Sequence, residues 1–231
     1  MPFGFYYDPT IILVLIGILL AMVAQGRVKS AYRKYSQVRS RHGASGATVA
    51  QEILRAHGLH DIEVEETTGF LSDHYDPRVR KVRLSSDNYR TNSLAALAVA
   101  AHECGHALQH AQGYSPLAWR HALLPVANIG SGPLIWVLVL VGLFAGFPPL
   151  VDAGIVFFAG AVLFHVVTLP VEFNASSRAM AILSNRGYLS PDESRGAKAV
   201  LNAAALTYVA SATVAVLNLV RLLVLRNSMD D

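Results

Sequence analysis

Four apolar stretches decide most of what this chain can become. Residues 10–24 (TIILVLIGILLAMVA), 133–147 (PLIWVLVLVGLFAGF) and 199–220 contain no charged side chain, and 151–169 is apolar apart from Asp152 and His165. A hydrocarbon layer about 30 Å thick takes about 20 helical residues to cross. Composition agrees: 53% hydrophobic residues and a mean hydropathy of +0.38 exceed what a soluble domain of this length carries, and 15% charged residues falls below it. The chain reads as an α-helical membrane protein with three to four transmembrane helices.

Residues 1–25 form the first span, edged by Tyr6, Tyr7 and Gln25. No positive residue precedes its apolar run and no small-x-small site follows, so it reads as an uncleaved anchor rather than a signal peptide. Arg27, Lys29, Arg33, Lys34, Arg39 and Arg41 come next, whereas residues 1–9 hold no Lys or Arg. By the positive-inside rule the N-terminus lies outside and the following segment is cytoplasmic. The same cluster also suits anionic lipid headgroups. The second span is 122–147, broken by Pro148 and Pro149, and 151–169 returns as the third. Their connecting loop carries no Lys or Arg and is assigned outside, which brings Pro170 back to the cytoplasmic face with Arg178, Arg186, Arg195 and Lys198. The C-terminal apolar helix, 199–226, is long enough for a fourth span. Arg221 and Arg226 would then lie outside against the charge rule, so the alternative is a helix packed on the others or lying in the interface. A net charge of +3 gives no case for nucleic acid, and the single cysteine, Cys104, excludes an internal disulfide.

Between the first two spans, residues 26–121 read as a small cytoplasmic α+β domain. Residues 46–58 (GATVAQEILRAHG) place apolar side chains on one helical face and stop at Gly58. Strand-like pieces follow at 62–65, 69–72 and 81–84, with Asp76-Pro77 as a turn signal. Residues 93–112 (SLAALAVAAHECGHALQHAQ) then form the helix on which the chemistry turns, capped by Asn92 or Ser93 and ended by Gly113. Its apolar face is Leu94, Leu97, Ala98, Ala101 and Leu108. His102 and His106 stand four apart, on one face about 5.4 Å along the axis, so both imidazoles can reach one ion. Neutral imidazoles suit zinc, which keeps an open position for water, and Glu103 beside them is placed to take that water's proton.

Zinc needs a third protein ligand. His110 shares the helix face but stands eight residues from His102, a rise of about 12 Å, too far for one ion. A later histidine after a glycine turn is not offered, because Gly113 comes late and no histidine follows it closely. The better candidate is Glu172, in a segment over 170–198 that opens as a helix at Pro170 and ends it at Gly187. Glu172, Ala175, Ser176 and Ala179 share one face, and the hairpin of spans two and three brings Glu172 to the side that holds His102 and His106. The competing reading is a glutamate that serves the dipole at a helix start.

On these residues the chain resembles the YugP-like family of membrane zinc metallopeptidases, from residue 46 to about 208. The resemblance rests on LSDHYDPRVRKVRLS, AAHECGHALQHAQGYSPLAWR, LPVEFNASSRA and AALTYVA. It implies kinship with gluzincins of the HtpX and CAAX-prenyl-protease type, whose third ligand is a glutamate on a later helix. Their pattern is Glu-x-x-Ala-Asp; here it reads Glu172-Phe-Asn-Ala175-Ser176, so Ser176 offers only a neutral hydrogen bond where an aspartate would orient a ligand histidine. In those relatives a strand before the motif helix presents its edge to the substrate backbone. The matching segment here is 71–76 with 81–84, which makes Ser72, Asp73, His74 and Tyr75 candidate substrate contacts. Asp73, His74 and Asp76 are alternatively turn residues or a second metal site. Candidates for an oxyanion donor are Arg178, Tyr208 and His74. Their ordinary readings are an ion pair, a core or interfacial tyrosine and a turn histidine. His165, inside a span, reads as a neutral imidazole bonded between helices.

The expectation is therefore a multi-pass cell-membrane protein with a cytoplasmic zincin-like domain. It would be a zinc endopeptidase with one Zn²⁺ per chain on His102, His106 and Glu172 and Glu103 as general base, acting on a membrane-associated protein or peptide. Two rivals are an intramembrane site-2-type protease, with the motif inside a span, and a non-proteolytic scaffold with structural zinc.

Overall fold

The computed structural model describes residues 10–230. The expectations that rest on residues 1–9, including Tyr6 and Tyr7, lie outside the described residues. The described chain holds eight helices and three strands. They are α1 Ile11–Tyr35, α2 Gly46–Ala56, β1 Glu63–Thr67, β2 His74–Asp76, β3 Lys81–Ser85, α3 Ser86–Arg90, α4 Leu94–Ala111, α5 Ser115–Gly130, α6 Pro133–Ala145, α7 Pro148–Asn185 and α8 Pro191–Asn227.

The chain divides into two compact units. One comprises Ala24–Ala118 and Thr168–Thr207. Its centre is α4, buried on almost every side rather than along one stripe: Ala95, Ala96, Ala100, Cys104 and Ala107 are as inaccessible as the expected Leu97, Ala98 and Ala101. Alanine and glycine permit this, because short side chains let neighbouring backbones close in from all directions. Around α4 pack Val49, Ala50, Ile53 and Leu54 of α2, Val82 and Leu84 of β3, Ala179 and Leu183 of α7, and Val200 and Leu201 of α8. Each fully buried leucine, isoleucine or valine contributes roughly 1.5–3 kcal/mol. Ser93 caps α4 by accepting a hydrogen bond from the Ala96 amide.

The sheet has the order β1-β3-β2, with β1 parallel and β2 antiparallel to β3. The middle strand differs from expectation. Residues 69–72 are a turn in which Gly69 (φ 110°) and Leu71 (φ 54°) take left-handed backbone conformations that no strand allows. The second strand comes instead at His74–Asp76, paired His74 to Arg83, Tyr75 to Val82 and Asp76 to Lys81. Asp76 then caps the return, accepting from the Arg78 amide at 3.0 Å.

The second unit comprises the described residues through Val23, Trp119–Val167, and Tyr208 onward. It exposes Ile12, Leu15, Leu19, Met22, Leu134, Phe144 and Val156, an outward apolar surface suited to lipid. Three helices, α1, α7 and α8, are long and apolar enough to cross a membrane. The expected span over 122–147 falls on a helix pair, α5 and α6, bent by 47° and apolar enough to cross a membrane when taken as one span. The cause is local: a Cβ on Gly130 would stand 2.1 Å from the Phe157 carbonyl oxygen, while Gly132 and Pro133 start a fresh helix. Residues 151–169 and the expected helix from Pro170 are likewise one helix, α7, with Pro170 inside it. A helix-interior proline costs about 3 kcal/mol, and the burial of Val171, Ala175 and Ala179 just beyond it offsets that cost. The fourth apolar stretch lies within the single helix α8, and Arg226 near its end pairs with Asp152 at 2.7 Å and Asp230 at 2.6 Å. Of the two charges that argued against a span, Arg226 is thus paired with carboxylates.

Candidate metal centre

The described chain gathers one group of three or more potential metal ligands: His102, His106 and Glu172. Helix α4 supplies both histidines, with ring centroids 4.7 Å apart. Helix α7 supplies the carboxylate, whose Oε2 lies 3.3 Å from His102 Nε2 and 3.5 Å from His106 Nε2. Tetrahedral zinc with bonds of about 2.0–2.1 Å separates its ligand atoms by about 3.3 Å. Two imidazole nitrogens and a carboxylate oxygen therefore fit zinc in kind and in spacing.

The surroundings select a cation. Burial opposes charge on His106, but hydrogen bonding to Glu172 and the charges of Glu103 and Glu172 outweigh it and raise its pKa. Burial would likewise raise the pKa of Glu172, yet hydrogen bonds from His102 and His106 prevail and hold it well below the usual carboxylate range. Glu172 is 2% exposed, so its negative charge is held at depth by groups that a metal can replace.

Glu103 occupies the next position on α4 and is 8% exposed. Among the described residues it makes no hydrogen bond and no ion pair, which leaves its carboxylate available to a small molecule at the centre. Cys104 turns the other way: buried, it directs its thiol to the Ala50 carbonyl at 3.6 Å, and desolvation raises its pKa. That thiol is a packing group, and is not a ligand.

Beyond the ligands, Ser176 Oγ lies 3.1 Å from His102 Nδ1, and Gln109 Oε1 lies 3.0 Å from His106 Nδ1. Ser176 is thus within reach of His102 for a neutral hydrogen bond. Gln109 was not singled out in the sequence; its only signal there is a polar side chain three residues beyond His106. Gly105 and Asn174 were also passed over.

The remaining candidates of this unit have partners of their own. Asp73 accepts from the Ser85 amide at 2.7 Å, the Ser85 hydroxyl at 3.1 Å and the Asn88 side chain at 3.0 Å. It is an anchor for β3, and no metal group forms around Asp73, His74 and Asp76 among the described residues. Ser72 bonds back to the Thr68 and Gly69 carbonyls, and His74 Nδ1 lies 2.8 Å from the Ser72 carbonyl oxygen. Tyr75 meets His110 Nδ1 at 2.9 Å, which ties edge strand β2 to the end of α4 and gives the histidine excluded as a third ligand a structural partner. Arg178 spends its guanidinium on Asn174 at 2.7 Å and Gln112 at 2.5 Å. Tyr208 belongs to the other unit.

With this geometry in hand, comparison with known proteins is specific. The family described as "Putative neutral zinc metallopeptidase" matches residues 10–227. The chain is 45% identical over 224 residues to the "Putative membrane protease YugP" of Bacillus subtilis (strain 168), a match that covers 96% of this chain and 98% of that relative. No solved structure matches it.

Proposed function

The chain belongs to the "Putative neutral zinc metallopeptidase" family, and on that premise we propose that it is a membrane endopeptidase of the gluzincin type. One zinc per chain would be held by His102 Nε2, His106 Nε2 and the Glu172 carboxylate. When bound, zinc supplies a Lewis acid that makes water a nucleophile near neutral pH and polarises a carbonyl. Glu103 accepts the proton from the attacking water and delivers it to the amine of the cleaved bond. Ser176 and Gln109 hold the two imidazoles. Strand β2, which pairs with β3 on one side only, is the edge on which an extended peptide would add a strand; main-chain pairing of that kind tolerates many sequences. The basic cluster from Arg27 to Arg41 supports a cytoplasmic site with the N-terminus outside, where membrane-associated polypeptides would be the substrates.

The observation that carries the reading is a largely buried cluster of three candidate ligands next to Glu103, a carboxylate with no hydrogen-bond or ion-pair partner among the described residues. Structural zinc sites are usually closed by four ligands; among the described residues this group has three. A cut inside the bilayer is disfavoured because α4 is not among the helices apolar enough to span. The test is zinc content and casein cleavage of detergent-purified protein, wild type beside Glu172→Ala. About one zinc per chain and chelator-sensitive cleavage, both lost in the variant, is the expected result. Stoichiometric zinc retained by folded Glu172→Ala would remove Glu172 as a ligand, and zinc without cleavage in wild type would favour a scaffold.

A further inference from the structure

Gln109 is fully buried, and its side chain has three partners in the centre of the fold. Its amide nitrogen donates to the Val171 carbonyl at 2.7 Å and to Asn174 Oδ1 at 3.0 Å, and its Oε1 lies 3.0 Å from His106 Nδ1. Val171 and Asn174 flank Glu172 by one and two residues on α7, so one side chain joins a ligand histidine to the helix that carries the ligand carboxylate.

The direction of each of these bonds is fixed by chemistry. A backbone carbonyl can only accept, so the Gln109 group facing Val171 is its NH₂. The second partner gives the same answer independently. Arg178 Nε, which can only donate, binds Asn174 Oδ1 at 2.7 Å; the group that Asn174 turns toward Gln109 is therefore oxygen, and Gln109 must again donate. Its Oε1 is left facing His106, and an amide oxygen cannot donate. His106 must then carry its proton on Nδ1, which leaves the Nε2 lone pair directed at the ligand cluster. His102 is treated differently. Its Nδ1 partner is the Ser176 hydroxyl, which donates as readily as it accepts and imposes no tautomer.

We infer that Gln109 is a positioning residue for His106: through the fixed sequence Arg178, Asn174, Gln109 it locks the imidazole in the Nδ1-protonated tautomer that offers Nε2 to the metal. The inference rests on the zinc reading above only for its consequence; the tautomer itself belongs to the metal-free protein. Arg178 reinforces the same polarity from the Asn174 side.

The test compares wild type, Gln109→Met and Ser176→Ala, each confirmed as folded by its thermal transition. Zinc affinity is measured by competition with a chromophoric chelator, and the His106 tautomer by ¹⁵N-histidine NMR of zinc-free protein at a pH above the imidazole range. Gln109→Met should weaken zinc binding by about 10- to 100-fold, the usual effect of losing a hydrogen bond behind a ligand, and should convert His106 from a single Nδ1-protonated form to a mixture. Ser176→Ala should leave the His106 tautomer unchanged. A folded Gln109→Met protein whose His106 remains wholly Nδ1-protonated, with unchanged zinc affinity, overturns the inference. If wild type takes up no zinc, the proposed function fails, while the tautomer measurement still decides the role of Gln109. Should Gln109→Met not fold, Gln109→Leu takes its place: a mixed His106 tautomer supports the role of Gln109, and a pure Nδ1-protonated form sinks it.

Discussion

Gly105, inside the motif, lies directly against the backbone of Ala175: a Cβ on Gly105 would stand 2.7 Å from the Ala175 carbonyl oxygen and 3.1 Å from its Cα. Ala175 is three residues beyond Glu172 on α7, and Gly105 sits just before His106 on α4. The approach of these two backbones is what brings the Glu172 carboxylate within 3.3–3.5 Å of both imidazoles. Residue 105 is thus as decisive for the cluster as the ligands, without touching an ion.

Gly105→Ala should therefore push α4 and α7 apart. Overpacking of this kind costs about 1–3 kcal/mol, and displacement of Glu172 should weaken zinc binding by more than tenfold, toward the loss seen on removal of a ligand. The measurements are a thermal melt and a chelator competition on the same preparation. Unchanged zinc affinity would show that the helices can separate without dragging Glu172 away.

Glu103→Gln should separate metal holding from catalysis. The glutamine has nearly the same shape and Glu103 contributes no hydrogen bond among the described residues, so zinc content and melting temperature should stay near wild type. Peptide cleavage should fall by about 10²–10⁴-fold with the loss of proton transfer. Activity that survives would move the base elsewhere.

What was legible in the chain, and what was not, divides along physical lines. His102, Glu103 and His106 were readable because helix periodicity converts spacing into geometry within one element. Glu172 came into view through a helix face and the hairpin before it, and the structure brings it to the histidines. Gln109, Asn174 and Gly105 were invisible because each acts through a partner about 60 or more residues away, on another helix, and no local pattern marks it. Pro170 misled for the opposite reason. Its local preference for a helix start is real, but the packing of Val171, Ala175 and Ala179 is a larger effect. The strand expected at 69–72 failed on backbone conformation: nothing in the residue type of Leu71 announces a φ of 54°.

The start of α8 should give the ligand-bearing unit a measurable acid sensitivity. Glu193 and Ser190 form a reciprocal cap, with the Ser190 amide donating to Glu193 at 2.8 Å, and the Arg41 amide donating to the same carboxylate at 2.7 Å. Burial alone would raise the Glu193 pKa, but these backbone donors win and lower it from 4.5. A carboxyl group lowered in the folded state stabilises fully above its unfolded pKa, and the contribution is lost as pH falls through the folded value. Glu193→Ala should thus cost about 1–2 kcal/mol at pH 7, and its melting temperature should converge on that of wild type as the pH is taken below about 4. A difference that stays constant from pH 7 to pH 3 would mean that the charged form contributes nothing.

Sidedness can be read with thiol labelling because the native cysteine is silent. Cys104 is buried and its thiol pKa is raised by desolvation, so a maleimide should leave folded wild-type protein unmodified, and no cysteine-free background is needed. Gln37, in the segment after α1, and Phe147, between α6 and α7, are exposed. With the basic cluster inside, Phe147→Cys should react with a membrane-impermeant maleimide in intact cells, whereas Gln37→Cys should react only after permeabilisation. The reverse pattern would place His102, His106 and Glu172 on the outer face. Their substrates would then be extracytoplasmic, and the positive-inside assignment from Arg27 to Arg41 would be overturned.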